Sequence, residues 1–249
     1  MATQGNELRF SGAGSTTGGT YSKVSVSGAG HITSDLECES MSISGSLVCE
    51  GTVKADSIRV DGSAEVKGDV TARSAVINGA SHMRGNFDVQ KLKVAGAAEI
   101  DKRLSGGQVN VQGALTVGGD CEVEIFKASG AFSIGGLLSA DTIEVKMYGR
   151  SKADEIGGES VSFRHMKRPI VDLAVALGMT KATSLEARIV EGDHVFLERA
   201  KVGTVRGRDV ELGEGCNVDL VEYTGEFKQS GSAKVKAARK IEPAEAPQA

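Results

Sequence analysis

The sequence predicts an all-β protein: a right-handed parallel β-helix, three-sided, with about 17 residues per coil. Three observations carry the prediction. Glycine recurs every 17 residues at Gly28, Gly45, Gly62, Gly79, Gly96, Gly113 and Gly130. Each follows the phrase apolar–x–apolar–x–Gly, as in Val24-Ser-Val26-Ser-Gly28 and Val109-Asn-Val111-Gln-Gly113. The chain holds 33 Gly but only 3 Pro, as a chain of paired strands requires, because proline cannot donate to the ladder.

Counted from each repeat glycine, apolar residues occupy offsets +2, +4, +8, +10, +13 and +15. The +13 column reads Met41, Ile58, Ala75, Leu92, Val109, Phe126, Ile143, and the +15 column reads Ile43, Val60, Ile77, Val94, Val111, Ala128, Val145. Apolar residues two apart mean strands with alternate side chains inward. Three such pairs per repeat make three sides. The gaps between pairs are corners: one holds the repeat glycine and one holds Gly51, Gly68, Gly85, Gly119 and Gly136. The third is polar, as at Asp56-Ser57 and Arg73-Ser74. Glycine is expected at corners for its access to positive φ. A period near two excludes helices. The left-handed hexapeptide β-helix needs a uniform step of six, which a step of 17 does not supply.

Taken in order, residues 1–7 read as a flexible tail and 8–163 as the main β-helix block. Leu8-Arg-Phe10-Ser-Gly12 repeats Val24-Ser-Val26-Ser-Gly28 at a spacing of 16, one residue short. Met147 stands where the next glycine is expected, and Gly149 comes late. Residues 164–184 interrupt the pattern with Arg164-His-Met-Lys-Arg168, Pro169 and the apolar run Ile170–Met179. Two readings fit that stretch: a contact with a membrane surface or partner, or a linker packed sideways on the solenoid. The β pattern resumes over 185–241 with Ile189, Val195-Phe-Leu197, Val202, Val205, Val210 and Leu212. Residues 242–249, rich in Glu, Pro and Ala, read as a disordered tail.

The composition narrows function by exclusion. A net charge of −4 offers no basic footprint for nucleic acid. No run of about 18 apolar residues codes a membrane span, and the start Met-Ala-Thr-Gln-Gly-Asn-Glu lacks the layout of a secretory signal. The expectation is a cytoplasmic chain, with any membrane contact peripheral and on the inner face. Cys38, Cys49 and Cys121 fall in apolar columns, and no CxxC or His/Cys metal spacing occurs, so buried reduced thiols are expected and no metal. Parallel β-helices include polysaccharide lyases and hydrolases. Here His31 and His82 share a column three coils apart, about 14 Å at the strand spacing, and read as solvated surface residues. Asp35, Asp56, Asp61, Asp69, Glu65 and Glu99 read as scattered over different faces, without a two-carboxylate site. No GxSxG, P-loop or dinucleotide fingerprint stands in its required context. The chain is therefore read as non-enzymatic and without cofactor. A monomeric binding module or carbohydrate-active β-helix is the alternative.

The end coils of such a solenoid expose unpaired backbone groups that can template another copy. Leu8 and Phe10 at one end, and Tyr223 and Phe227 at the other, are the candidate stacking residues. The V-x-V-x-G phrases, the glycine corners, and the segments Ile189-Val-Glu-Gly-Asp-His-Val-Phe-Leu-Glu198 and Arg208-Asp-Val-Glu-Leu-Gly-Glu-Gly-Cys-Asn-Val-Asp-Leu-Val-Glu-Tyr223 resemble the bactofilins over about residues 8–240. That resemblance implies a bacterial cytoskeletal protein that polymerises without nucleotide into apolar filaments. It also implies a homopolymer as the main partner, with envelope or cell-wall proteins as clients.

Overall fold

The computed structural model describes residues 6–166 and 184–242. Among them are 25 strands and no helix, and the strands pair in parallel, as in β3 (Gly19–Val26) on β5 (Leu36–Ile43). One coil is one eight-residue strand and one four-residue strand, as in β5 followed by β6 (Ser46–Cys49). Between residues 29 and 134 the four-residue strands bury alternate residues. The eight-residue strands do so twice, with a slip: in β7 (Val53–Val60) the buried residues are Val53, Ala55, Ile58 and Val60. Two adjacent outward residues, Asp56 and Ser57, mark the slip. The third corner is thus a bend inside a continuous strand, where Asp56 alone drops out of the register with β9 (Val70–Ile77).

The buried columns are those of the repeat. Val60, Ile77, Val94 and Val111 lie one above another in register and are fully buried. Apolar side chains of consecutive coils therefore fill the interior without any second layer. The few aromatics pack there too. Phe126 meets Phe132 edge-on at 5.2 Å, and Phe132 meets Phe163 at 6.3 Å between centroids.

The repeat glycine proves necessary for a reason other than the expected one. Positive φ among the described glycines is confined to Gly19, Gly106 and Gly215. None of the seven repeat glycines adopts it. A Cβ on Gly45, Gly62, Gly79, Gly96, Gly113 or Gly130 would instead lie 2.0 Å from the carbonyl oxygen of the preceding repeat glycine. The corner backbone is stacked glycine on glycine, too closely for any side chain.

Register shifts locate the irregular coils. β1 (Glu7–Phe10) sets Leu8 on Val24, and β2 (Ala13–Thr16) sets Thr16 on Ile32, both at a step of 16. β3 then sets Gly19 on Leu36 at 17. The missing residue lies at the corner between Thr16 and Gly19. After β18 (Thr142–Met147) the step widens: β20 (Glu155–His165) sets Val161 on Ile143 at 18. Met147, in the slot of the absent glycine, is fully buried.

Of the interruption, Arg164 and His165 are the last residues of β20, while residues 167–183 lie outside the described residues. β20 pairs directly with β21 (Ser184–Leu197), Val161 on Val195. Next come β22 (Ala200–Leu212), β23 (Asn217–Tyr223), β24 (Phe227–Gln229) and β25 (Lys234–Lys240). The ladder runs on from β21 to β22, and from β22 to both β23 and β24.

Candidate functional site at the ends of the solenoid

At the amino-terminal end, β1 pairs only with β3, and β2 (Ala13–Thr16) only with β4 (Ala29–Ile32). Their other edges carry no strand among the described residues. Phe10 closes the interior there. Its ring lies against Gly14 and Gly30, so close that a Cβ on Gly30 would stand 2.9 Å from it. Phe10 is 8% exposed even with nothing stacked above it, and Leu8 packs half-buried beside the core. Glu7 and Arg9, the outward residues of β1, pair with each other at 3.1 Å.

At the carboxy-terminal end, among the described residues, β24 pairs only with β22, and β25 only with β23. Phe227 belongs to the terminal coil. Tyr223 sits one strand further in, with Lys240 paired outside it. The two rings pack on each other at 5.5 Å, tilted by 36°, and both lie half-buried against the core. Both ends therefore combine open backbone edges with half-buried apolar side chains.

The outward faces carry charge ladders. His31 Nε2 lies 3.1 Å from Glu50 Oε1, and Lys67 lies 2.7 Å from the other oxygen of Glu50. His82 Nε2 lies 2.8 Å from Asp101 Oδ1. The two histidines are thus each bonded to a carboxylate of the next coil, rather than simply solvated. His82, Glu99 and Asp101 bring three donor atoms within 4.8 Å of one another on an exposed part of the surface. All four cysteines are free and buried. Burial pushes the Cys121 thiol up to about 12 and the Cys38 thiol up to about 11.

The expected scatter of acids is corrected for Asp35 and Asp69. With Asp120 they form one column, at multiples of 17 residues. Each turns its carboxylate onto the backbone of the next coil. Asp35 accepts from the Thr52 N–H at 2.7 Å, Asp69 from Asn86 at 2.7 Å, and Asp120 from Leu137 at 2.8 Å. Asp209 does the same for Glu226 at a later corner, at 3.1 Å. These N–H bonds hold the carboxyls of Asp35 and Asp209 below their ordinary range. Their recurrence at the repeat spacing was the available signal.

Near the carboxy-terminal end, Glu222 is buried between two arginines that the sequence pattern did not single out. Arg206 Nε donates to one of its oxygens at 2.6 Å, and Arg239 Nε to the other at 2.9 Å. The two guanidiniums hold its carboxyl below the usual range. No helix among the described residues is long and apolar enough to cross a membrane.

The bactofilin family model, described as polymer-forming cytoskeletal, matches residues 3–88. The chain is similar to YhbE of Bacillus subtilis (strain 168), 52% identical over 236 residues that cover 94% of this chain and 98% of YhbE. It is also similar to YhbF of the same organism, 30% identical over 107 residues that cover 43% of this chain and 42% of YhbF. No solved structure matches it.

Proposed function

Because this chain belongs to the bactofilin family of polymer-forming cytoskeletal proteins, we propose that its scaffold role is carried by copies stacked end to end, without nucleotide. The observation that supports this reading is the state of the two terminal coils. Each leaves strand edges open and sets apolar side chains there: Leu8 and Phe10 at one end, Phe227 with Tyr223 behind it at the other. A second copy would satisfy the backbone and remove those side chains from water in one step.

Charge supports an arrangement of like ends. In-register head-to-tail stacking would set Glu7 over Glu226 and Arg9 over Lys228, because Leu8 and Phe227 share a column. Like charges directly opposite destabilise a sheet. A two-fold meeting of amino-terminal ends reverses one strand and can set Glu7 of one copy against Arg9 of the other. Such a filament has no polarity. Organisation of envelope or cell-wall proteins along it, at the inner face of the membrane, completes the proposal.

Negative-stain microscopy of the purified full chain, without nucleotide or metal, tests it. Filaments or sheets are expected. A clean monomer by light scattering at high concentration overturns it.

A further inference from the structure

We propose that His82, Glu99 and Asp101 form a site for a zinc-class divalent cation on the flank of the solenoid. The three come from two adjacent coils. His82 lies in β10 (Ala80–Met83) and Glu99 in β12 (Ala97–Ile100), directly opposite each other in register. Asp101 follows β12, its N–H bonded to the Met83 carbonyl at 2.9 Å. The ladder thus fixes all three backbone positions, and one donor atom from each residue lies within 4.8 Å of the others. Donors about 2.0–2.2 Å from a zinc ion stand about 3.3–3.6 Å apart in a tetrahedron. The 2.8 Å contact of His82 Nε2 with Asp101 Oδ1 has only to open slightly to admit the ion.

Charge sets this histidine apart. His31, His82 and His194 each face a carboxylate of the next coil. Beside His31 a cation completes the group, Lys67 on Glu50. Beside His194 it is Arg208 on Asp209. Beside His82 the third group is a second acid. Neither Glu99 nor Asp101 has a lysine or arginine partner among the described residues. Arg84, one repeat before Asp101, pairs instead with Glu65 at 2.6 Å. One repeat later stand Thr116 and Gly118, which bring no charge. Two carboxylates and a neutral imidazole suit a borderline cation, and the nitrogen selects against magnesium, which takes oxygen ligands. His82 and Glu99 also line a hollow of about 320 Å³ with Ser63, Ala80, Ala97 and Ala114. Those small residues leave room for a fourth ligand from outside the chain. β8 (Ser63–Val66) and β14 (Ala114–Val117) flank the two strands, so the site lies away from both terminal coils and stays open in an end-to-end stack.

The inference does not depend on filament formation, and the test keeps the two apart. Zn²⁺ alone is dialysed against the full chain, with Mg²⁺ as the comparison. Losing even a supporting group of a metal site costs about 10–100-fold in affinity. His82→Gln and Glu99→Gln should therefore each weaken zinc binding at least about tenfold, with an unchanged circular dichroism spectrum, and His31→Gln should not weaken it. A second readout needs no variant. Diethyl pyrocarbonate acylates accessible imidazoles, and mass spectrometry reports each histidine separately, in monomer and filament alike. Zn²⁺ is expected to protect His82 and leave His31 unprotected, and Mg²⁺ to protect neither. Sedimentation of the same samples reports assembly independently. Absence of zinc binding overturns the proposal. So does unchanged affinity in Glu99→Gln, equal protection of His31 and His82, or equal protection by Mg²⁺.

Discussion

Leu8 and Phe227 are the two ends of a single column of side chains that runs the length of the solenoid. Between them, each in register with the next, stand Val24, Met41, Ile58, Ala75, Leu92, Val109, Phe126, Ile143, Val161, Val195 and Val210. Every intervening member is buried. The terminal pair is half-buried because each lacks one neighbour. What differs at the ends is therefore not residue type but the missing coil.

Phe10→Arg and Phe227→Arg each place a charge where that missing coil would sit. Shorter assemblies are expected for both in negative-stain images, with the β-sheet spectrum retained. Filaments of unchanged length in both variants would remove these residues from the stacking ends.

Gly79→Ala tests the glycine stack. Its Cβ would stand 2.0 Å from the Gly62 carbonyl oxygen, whereas nothing lies within 4 Å of a Cβ on Gly231. Overpacking of this kind costs about 1–3 kcal/mol, so the midpoint of denaturant unfolding should fall for Gly79→Ala and stay for Gly231→Ala. Equal midpoints would show that the corner relaxes freely.

Acid should loosen the corners before it unfolds the core. Asp35, Asp209 and Glu222 have carboxyls depressed in the folded state by N–H bonds and by Arg206 and Arg239. A depressed folded value means their stabilisation is complete above the ordinary carboxylate range, about pH 4, and is lost as pH falls through the folded values. Thermal midpoints should therefore be flat from neutral pH down to that range and then drop. Asp35→Asn with Glu222→Gln should flatten the acid limb; an unaltered limb contradicts this assignment.

The thiols should be inert in the native protein. With Cys121 pushed up to about 12 and Cys38 to about 11 by burial, little thiolate forms at pH 8, and thiolate is the reactive species. Alkylation should be slow until denaturant is added, then release all four cysteines together. Rapid native labelling would mean that the coils open locally.

The coil was legible in the sequence because a solenoid writes its geometry as a period. Each residue meets its own column mate, so spacing alone gives the register. Val60 over Ile43 could be read directly, and so could the short first coil at Leu8. The bend inside β7 could not be told from a gap, since both appear as two adjacent polar residues. Asp35, Asp69 and Asp120 recur at the period but read as surface acids, because their role lies in the backbone N–H of the next coil. The same holds for Glu222, whose arginines stand 16 and 17 residues away on either side.

By itself, then, the sequence determined the all-β solenoid, its apolar columns and the candidate residues at its ends. Those follow from periodicity, a one-dimensional property. Only the tertiary structure decided why the repeat residue must be glycine, since the close approach of Gly79 to the Gly62 carbonyl exists only once two coils are stacked. It also decided that Tyr223 lies inside Lys240 rather than at the edge. Which strand is last depends on pairing across coils, and pairing is a relation in space that no single stretch of chain contains.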